Sequence, residues 1–262
     1  MIVRRLLPLA LILLAASPAA AEDEVALEPR LYFGSLDELS HDDFSSSASA
    51  ASDVLLVLGL TAPIALELGR DDDDTLRSLG AYAGGVAASG AVAAVMKEIW
   101  HRPRPYNFNK DPAVQAFARR AGKDARVSFP SGHTALTFAA AAAGGWVYAS
   151  GSDDTSARAG VWFGGTAVAG ATAVLRMRAG KHYPSDVAMG MLLGVAGVAV
   201  PAAVLGDVDL RGSEIAAMAG GVLIGAGLAS ILPFPRDATL PLDVAPLALR
   251  GGGGVTLTYS AW

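Results

Sequence analysis

Two histidines set among cations carry the chemistry that is visible in this chain. His133 stands in Pro130-Ser131-Gly132-His133, and His182 precedes Asp186 by one helical turn. Lys97 and Arg104 lie upstream of the first histidine, and Arg176 lies between the two. An imidazole can attack phosphorus or carry a proton. Guanidinium and ammonium groups hold phosphoryl oxygens, and a Ser-Gly helix start aims amide N–H groups at an anion. These are the parts needed to hold a phosphate and break its ester bond.

Local sequence says how each part is presented. Ser131 suits an N-cap, and Gly132 lets backbone come close to a bound group. His133 then sits on the first turn, where it can protonate a leaving oxygen. Pro103 and Pro105 end the preceding helix, so Arg104 projects from a stiffened loop. Pro184 fits a first helical position, which puts His182 just before the helix and Asp186 in its first turn. A carboxylate accepting from one imidazole nitrogen fixes the tautomer and leaves the other nitrogen to attack. Taken singly, each block also reads as a helix cap, as cations at a helix end, or as a structural His–Asp pair. His101, Arg102, Arg178 and Lys181 are expected at the mouth of the site or on the surface.

Six apolar stretches must position these groups, at roughly 53–68, 77–99, 132–150, 158–176, 185–205 and 213–232. Each is rich in Ala, Gly, Leu and Val and long enough for a helix. Gly69 to Asp74, Gly151 to Asp154 and Gly206-Asp207 punctuate them. The Asp71–Asp74 run reads as a solvated loop rather than a metal site. Alternating up and down, the stretches bring Lys97, Arg104, Ser131, Gly132, His133, Arg176, His182 and Asp186 to one end. The expected fold is all-α, an antiparallel bundle of about six helices. Leu242 to Leu249, a glycine run and Val255 to Trp262 read as a small C-terminal β-hairpin.

With 52% hydrophobic and 17% charged residues and a net charge of -5, the chain has no composition for disorder or nucleic-acid binding. It has no Cys, which removes disulfides, thiolate metal sites and cysteine nucleophiles. Arg4-Arg5, an apolar run and Ser17 to Ala21 read as a signal peptide over 1–21, which implies export to a periplasmic or membrane-associated location. Residues 22–52 read as a polar lead-in, 53–233 as the catalytic helical domain and 234–262 as the hairpin extension. Val187 to Gly206 and Ile215 to Pro233 carry no charge and approach the ~20 residues that span a bilayer. Their Ala and Gly content and the cations clustered at the catalytic end oppose a span, so peripheral and integral readings both stand.

The ordered blocks resemble the three-part signature of the type 2 phosphatidic acid phosphatase (PAP2) superfamily. They are Lys97, six residues, Arg104-Pro105; Pro130-Ser131-Gly132-His133; and Arg176, five residues, His182, three residues, Asp186. That superfamily includes bacterial acid phosphatases, lipid phosphate phosphatases and vanadium haloperoxidases. The resemblance implies that His182 attacks phosphorus to form a phosphohistidine, with Asp186 orienting it. His133 would protonate the leaving oxygen and later activate water. Lys97, Arg104, Arg176, Ser131 and Gly132 would bind the phosphoryl oxygens, with no metal and no cofactor. The family often has Ser before the third-block Arg; Leu175 stands there, so that hydrogen bond is not expected. The implied activity is hydrolysis of phosphate monoesters or lipid phosphates, with a vanadate-dependent haloperoxidase or an inactive binding protein of the same fold as alternatives.

Overall fold

The computed structural model describes residues 34–40, 43–70 and 73–234, together with the backbone of 242–249 and 252–259. The proposed signal peptide lies outside the described residues. A four-residue helix, α1 (Ser35–Glu38), precedes α2 (Ser46–Leu68) and α3 (Thr75–Trp100). A connection follows that contains α4 (Pro112–Ala121) and two short 3₁₀ turns. Then come α5 (Gly132–Ser150), α6 (Thr155–Arg178), α7 (Pro184–Ala196), α8 (Ala199–Leu205) and α9 (Gly212–Ile231). The class is all-α. Beyond Phe234, the backbone of β1 (Leu242–Leu249) and β2 (Gly252–Tyr259) pairs antiparallel, with Leu242 opposite Tyr259.

The starts of the helices follow from their caps. Ser45, Ser131 and Asp154 accept from amides in the first turns of α2, α5 and α6, each satisfying a donor that the helix leaves unpaired. Two boundaries differ from the sequence reading. Helix α2 begins at Ser46 rather than near residue 53, because the Ser-Ala run is helical once Ser45 caps it. The stretch 185–205 is broken into α7 and α8 around Gly197. Pro201 has no N–H to offer the Gly197 carbonyl. That carbonyl instead lies against Gly85 of α3, where a Cβ would approach it to 2.6 Å.

Packing places α5 at the centre. Its residues Ala139 to Gly145 are all buried, and it lies against α2, α3, α6 and α7. The α5–α7 approach is backbone to backbone: a Cβ on Gly190 would stand 2.6 Å from the Ser131 carbonyl, and one on Gly194 would stand 2.6 Å from the Ala135 carbonyl. This contact sets how close the two histidine-bearing helix starts can come. Helix α9 closes on α6 in the same way, with Gly221 and Gly225 against the Phe163 and Ala167 carbonyls. Small residues let helices approach until dispersion contacts are continuous.

The outward faces are apolar. Val57, Leu58, Val92, Val95, Leu192, Val195, Leu223 and Ile224 are exposed. Among the described residues, four helical stretches are long and apolar enough to cross a membrane: Ser46–Leu68, Thr75–Phe108, Pro184–Leu205 and Gly212–Ile231. A continuous apolar exterior of this kind fits membrane association.

Glycine packing makes a direct prediction. Gly225→Val drives a side chain into the Ala167 backbone and lowers the unfolding temperature sharply. Gly227→Ala, where an added Cβ meets nothing, leaves stability unchanged or raises it by up to about 1 kcal/mol. Thermal unfolding of the two variants in the same detergent checks this contrast.

Candidate active site

His182 is placed by the tight connection between α6 and α7. Gly180 takes φ 67°, a left-handed conformation that closes the end of α6. A Cβ there would also collide with the Asp43 carbonyl, so glycine is required on both counts. Pro184 then starts α7 in its first turn. His182 ends almost fully buried, with Nδ1 2.7 Å from the Ser128 carbonyl. A carbonyl only accepts, so Nδ1 carries the proton and Nε2 keeps its lone pair. Nε2 faces Arg104, 3.5 Å from its Nη1.

Asp186 reaches the same imidazole less closely than expected. Its Oδ2 lies 3.6 Å from His182 Nδ1, and the near acceptor is the Ser128 carbonyl. The carboxylate is occupied elsewhere: it accepts from the Ser128 hydroxyl, from the Tyr183 amide at 2.8 Å and from Arg102.

Arg102 itself corrects the sequence reading. It is wholly buried, not a charge at the mouth. Its Nη1 donates to Ser185 Oγ at 2.7 Å and to Asp186; its Nη2 donates to Asp37 Oδ2 at 2.8 Å. Its guanidinium carbon stacks 3.9 Å from the Tyr183 ring centroid. Asp37 also accepts from the Ser185 amide and hydroxyl. Thus α1 is pinned to the start of α7 through one arginine. Lys181 is also buried, with Nζ over the Phe117 ring. Arg178 caps α9 by donating to the Ala229 and Leu232 carbonyls. His101 is exposed, as expected.

The three expected phosphate cations arrive from separate elements. Lys97, near the end of α3, donates to the Val127 carbonyl at 2.6 Å, and its Cε lies 3.6 Å from where a Cβ on Gly132 would be. Arg104 is held by Asp124, through Nη2 to Oδ1 at 2.7 Å and Nε to the backbone carbonyl at 2.7 Å, and by the Lys181 carbonyl at 3.1 Å. Arg176, at the end of α6, donates through Nη1 to Ser52 Oγ at 3.1 Å and Asp53 Oδ1 at 3.3 Å. Ser131, expected among the phosphate donors, is otherwise engaged: its hydroxyl caps α5 at Thr134 and its amide donates to the Asp186 carbonyl at 2.9 Å. The first-turn amides of Gly132 and His133 are the donors that a helix leaves without an internal partner. Leu175 packs with Ala48, Ala179 and Ala229 in the core.

His133 has a partner that the sequence reading missed. Its Nε2 lies 2.7 Å from Asp53 Oδ1, the same oxygen that faces Arg176. Asp53 is the only carboxylate between Asp43 and Glu67. A lone acid at the head of an apolar run is expensive to bury unless used, which is the signal that could have found it. Ser52, Ser128, Asp37 and Asp124 carried no comparable mark, since their partners are distant in sequence.

Charge and burial set the protonation states. Burial first, then Arg176 and Arg104, pushes His133 down to about 4, against the opposing pull of Asp53. Burial first, then Arg104, Lys97, Arg176 and His133, holds His182 well below the ordinary imidazole range. With no anion bound, both imidazoles are therefore neutral at pH 7. Arg104, Lys97, Arg176 and His133 thus all disfavour a charged His182 ring. An anion there cancels the cations that disfavour imidazolium. Orthovanadate is therefore expected to move the NMR titration of the His133 ring upward from about 4. An unchanged midpoint with vanadate bound would place the anion elsewhere. Arg102→Met leaves two carboxylates buried against each other and is expected to cost about 3–5 kcal/mol, read by thermal unfolding.

No curated protein and no solved structure matches the chain. The family model described as the PAP2 superfamily matches residues 78–207. That span holds all three histidine and cation blocks and runs from the start of α3 to the end of α8, so the chain belongs to the PAP2 superfamily.

Proposed function

We propose that the protein is a metal-independent phosphatase that hydrolyses phosphate monoesters or lipid phosphates and diphosphates through a phosphohistidine. The observation that carries this reading is the aim of His182: its Nδ1 is tied to a carbonyl, and its Nε2 is turned toward the Arg104 guanidinium. A phosphoryl group bound by Lys97, Arg104, Arg176 and the first-turn amides of α5 would lie in line with that nitrogen. In the first step the N–P bond forms and the ester P–O bond breaks, and the leaving oxygen takes a proton from His133. In the second, water adds to phosphorus as the N–P bond breaks, and His133 accepts the water's proton. Asp186 would hold the start of α7, and with it His182, in register.

Phosphoryl transfer asks mainly for positioning and neutralisation of charge spread over the oxygens, which fixed cations supply. The apolar outer faces favour an amphiphilic substrate presented at a membrane surface. In the same reading residues 1–21 direct export, the site faces outside the cytoplasm, and the C-terminal strand pair is an extension outside the catalytic bundle.

The purified chain in EDTA is expected to hydrolyse p-nitrophenyl phosphate, phosphatidic acid or a polyprenyl diphosphate. His182→Ala should abolish the turnover and the acid-labile phosphoenzyme trapped by rapid quench. His133→Ala should slow ester cleavage by about 10²–10⁴-fold. Equal rates in wild type and His182→Ala would remove the nucleophile assignment.

A further inference from the structure

We infer that Asp53 is the positioning residue that makes His133 an acid, holding its Nε2–H so that Nδ1 is the nitrogen that exchanges a proton with the leaving group and with water. This rests on the phosphatase reading above and extends it to a residue outside all three signature blocks. An ionised carboxylate can only accept, so the 2.7 Å contact to Asp53 Oδ1 assigns the ring proton to Nε2. The remaining nitrogen, Nδ1, is then the one that can donate when the ring is cationic and accept when it is neutral.

The surroundings explain why such a partner is needed. His133 faces Arg176 from α6 and Arg104 from the segment after α3, and both disfavour imidazolium. Lys97 of α3 lies against the first turn of α5 beside it. Asp53 from α2 brings the opposite charge to the ring. The same oxygen receives Arg176, so the carboxylate also holds that guanidinium beside the histidine. Asp53 is buried in the second turn of α2, where Ser45 has capped the helix start. Its place is thus set by backbone, not by a mobile loop.

The chemistry gives a readout that simple misfolding would not. Cleaving an alkyl phosphate expels a strongly basic alkoxide that needs a proton in the transition state. p-Nitrophenolate is a far weaker base and needs little help. Proton donation is therefore tested by the ratio of kcat/KM for hexyl phosphate to that for p-nitrophenyl phosphate, which reports P–O cleavage.

Asp53→Asn keeps the side-chain shape and removes the charge. It is expected to lower that ratio by at least tenfold, whatever common loss both substrates suffer through Arg176. The decline of kcat/KM with rising pH should also begin at lower pH, because the carboxylate that raised the proton affinity of His133 is gone. Asp53→Glu, which restores the charge, should recover most of the ratio. If Asp53→Asn yields no folded protein, the Glu variant alone is read, and a ratio near wild type is required. An equal fall on both substrates, or an unchanged pH profile in a folded Asn variant, overturns the inference. Absence of turnover on either ester by wild type would instead remove the phosphatase reading on which it rests.

Discussion

Gathering positive charge in a place that water barely reaches is the constraint around which the rest is arranged. Lys97, Arg102, Arg104 and Arg176 converge at one end of the bundle, and three of the four are almost fully buried. Unpaired, such charges would shift protonation or unfold the chain. Each is instead given a carboxylate or carbonyl that takes part of its donor set: Val127 for Lys97, Asp37 and Asp186 for Arg102, Asp124 for Arg104, and Asp53 for Arg176. The acids come from α1, α2, the α4–α5 connection and α7. Balancing the charge thus ties together segments that the apolar core alone would leave loosely related.

The second requirement is distance, and it is met by the absence of side chains. Gly190 and Gly194 let α7 lie against the α5 backbone, and the Ser131 amide bonds across to the Asp186 carbonyl. One helix start carries His133 and the other follows His182. Because the contact is between backbones, it cannot relax by rotamer change, and the separation of the imidazoles is fixed by the fold. The apolar exterior has no share in this geometry. It determines where the enzyme sits, while glycine contacts and ion pairs determine what it presents.

Much of this was legible in the sequence, for a physical reason. Long Ala/Gly/Leu/Val runs with charged punctuation can only be helices, and alternation of such runs forces their ends to one side. The signature residues Lys97, Arg104, His133, Arg176, His182 and Asp186 sit at those ends in a fixed order and could be named by local pattern. The partners could not. Asp37, Asp53 and Ser128 act through contacts across long sequence separations, and no window of neighbouring residues reveals which acid meets which base. Arg102 misled for the same reason: beside His101 and two prolines it has the look of a solvated loop charge. The α7–α8 break at Gly197 has a local cause in Pro201, which offers no N–H, and a distant one in the close approach of Gly85 across the bundle.

The fastening of α1 to α7 has an implication for where this catalytic unit ends. The family-matched stretch starts at residue 78, well after Asp37. Trimmed to that stretch, the polypeptide would keep every signature residue. It would nevertheless strand one guanidinium in a dry interior with half its counter-charge missing, and the carboxylate beside His133 would be lost too. The natural border of the working enzyme is therefore drawn by electroneutrality, and it lies upstream of the border that similarity to relatives would draw.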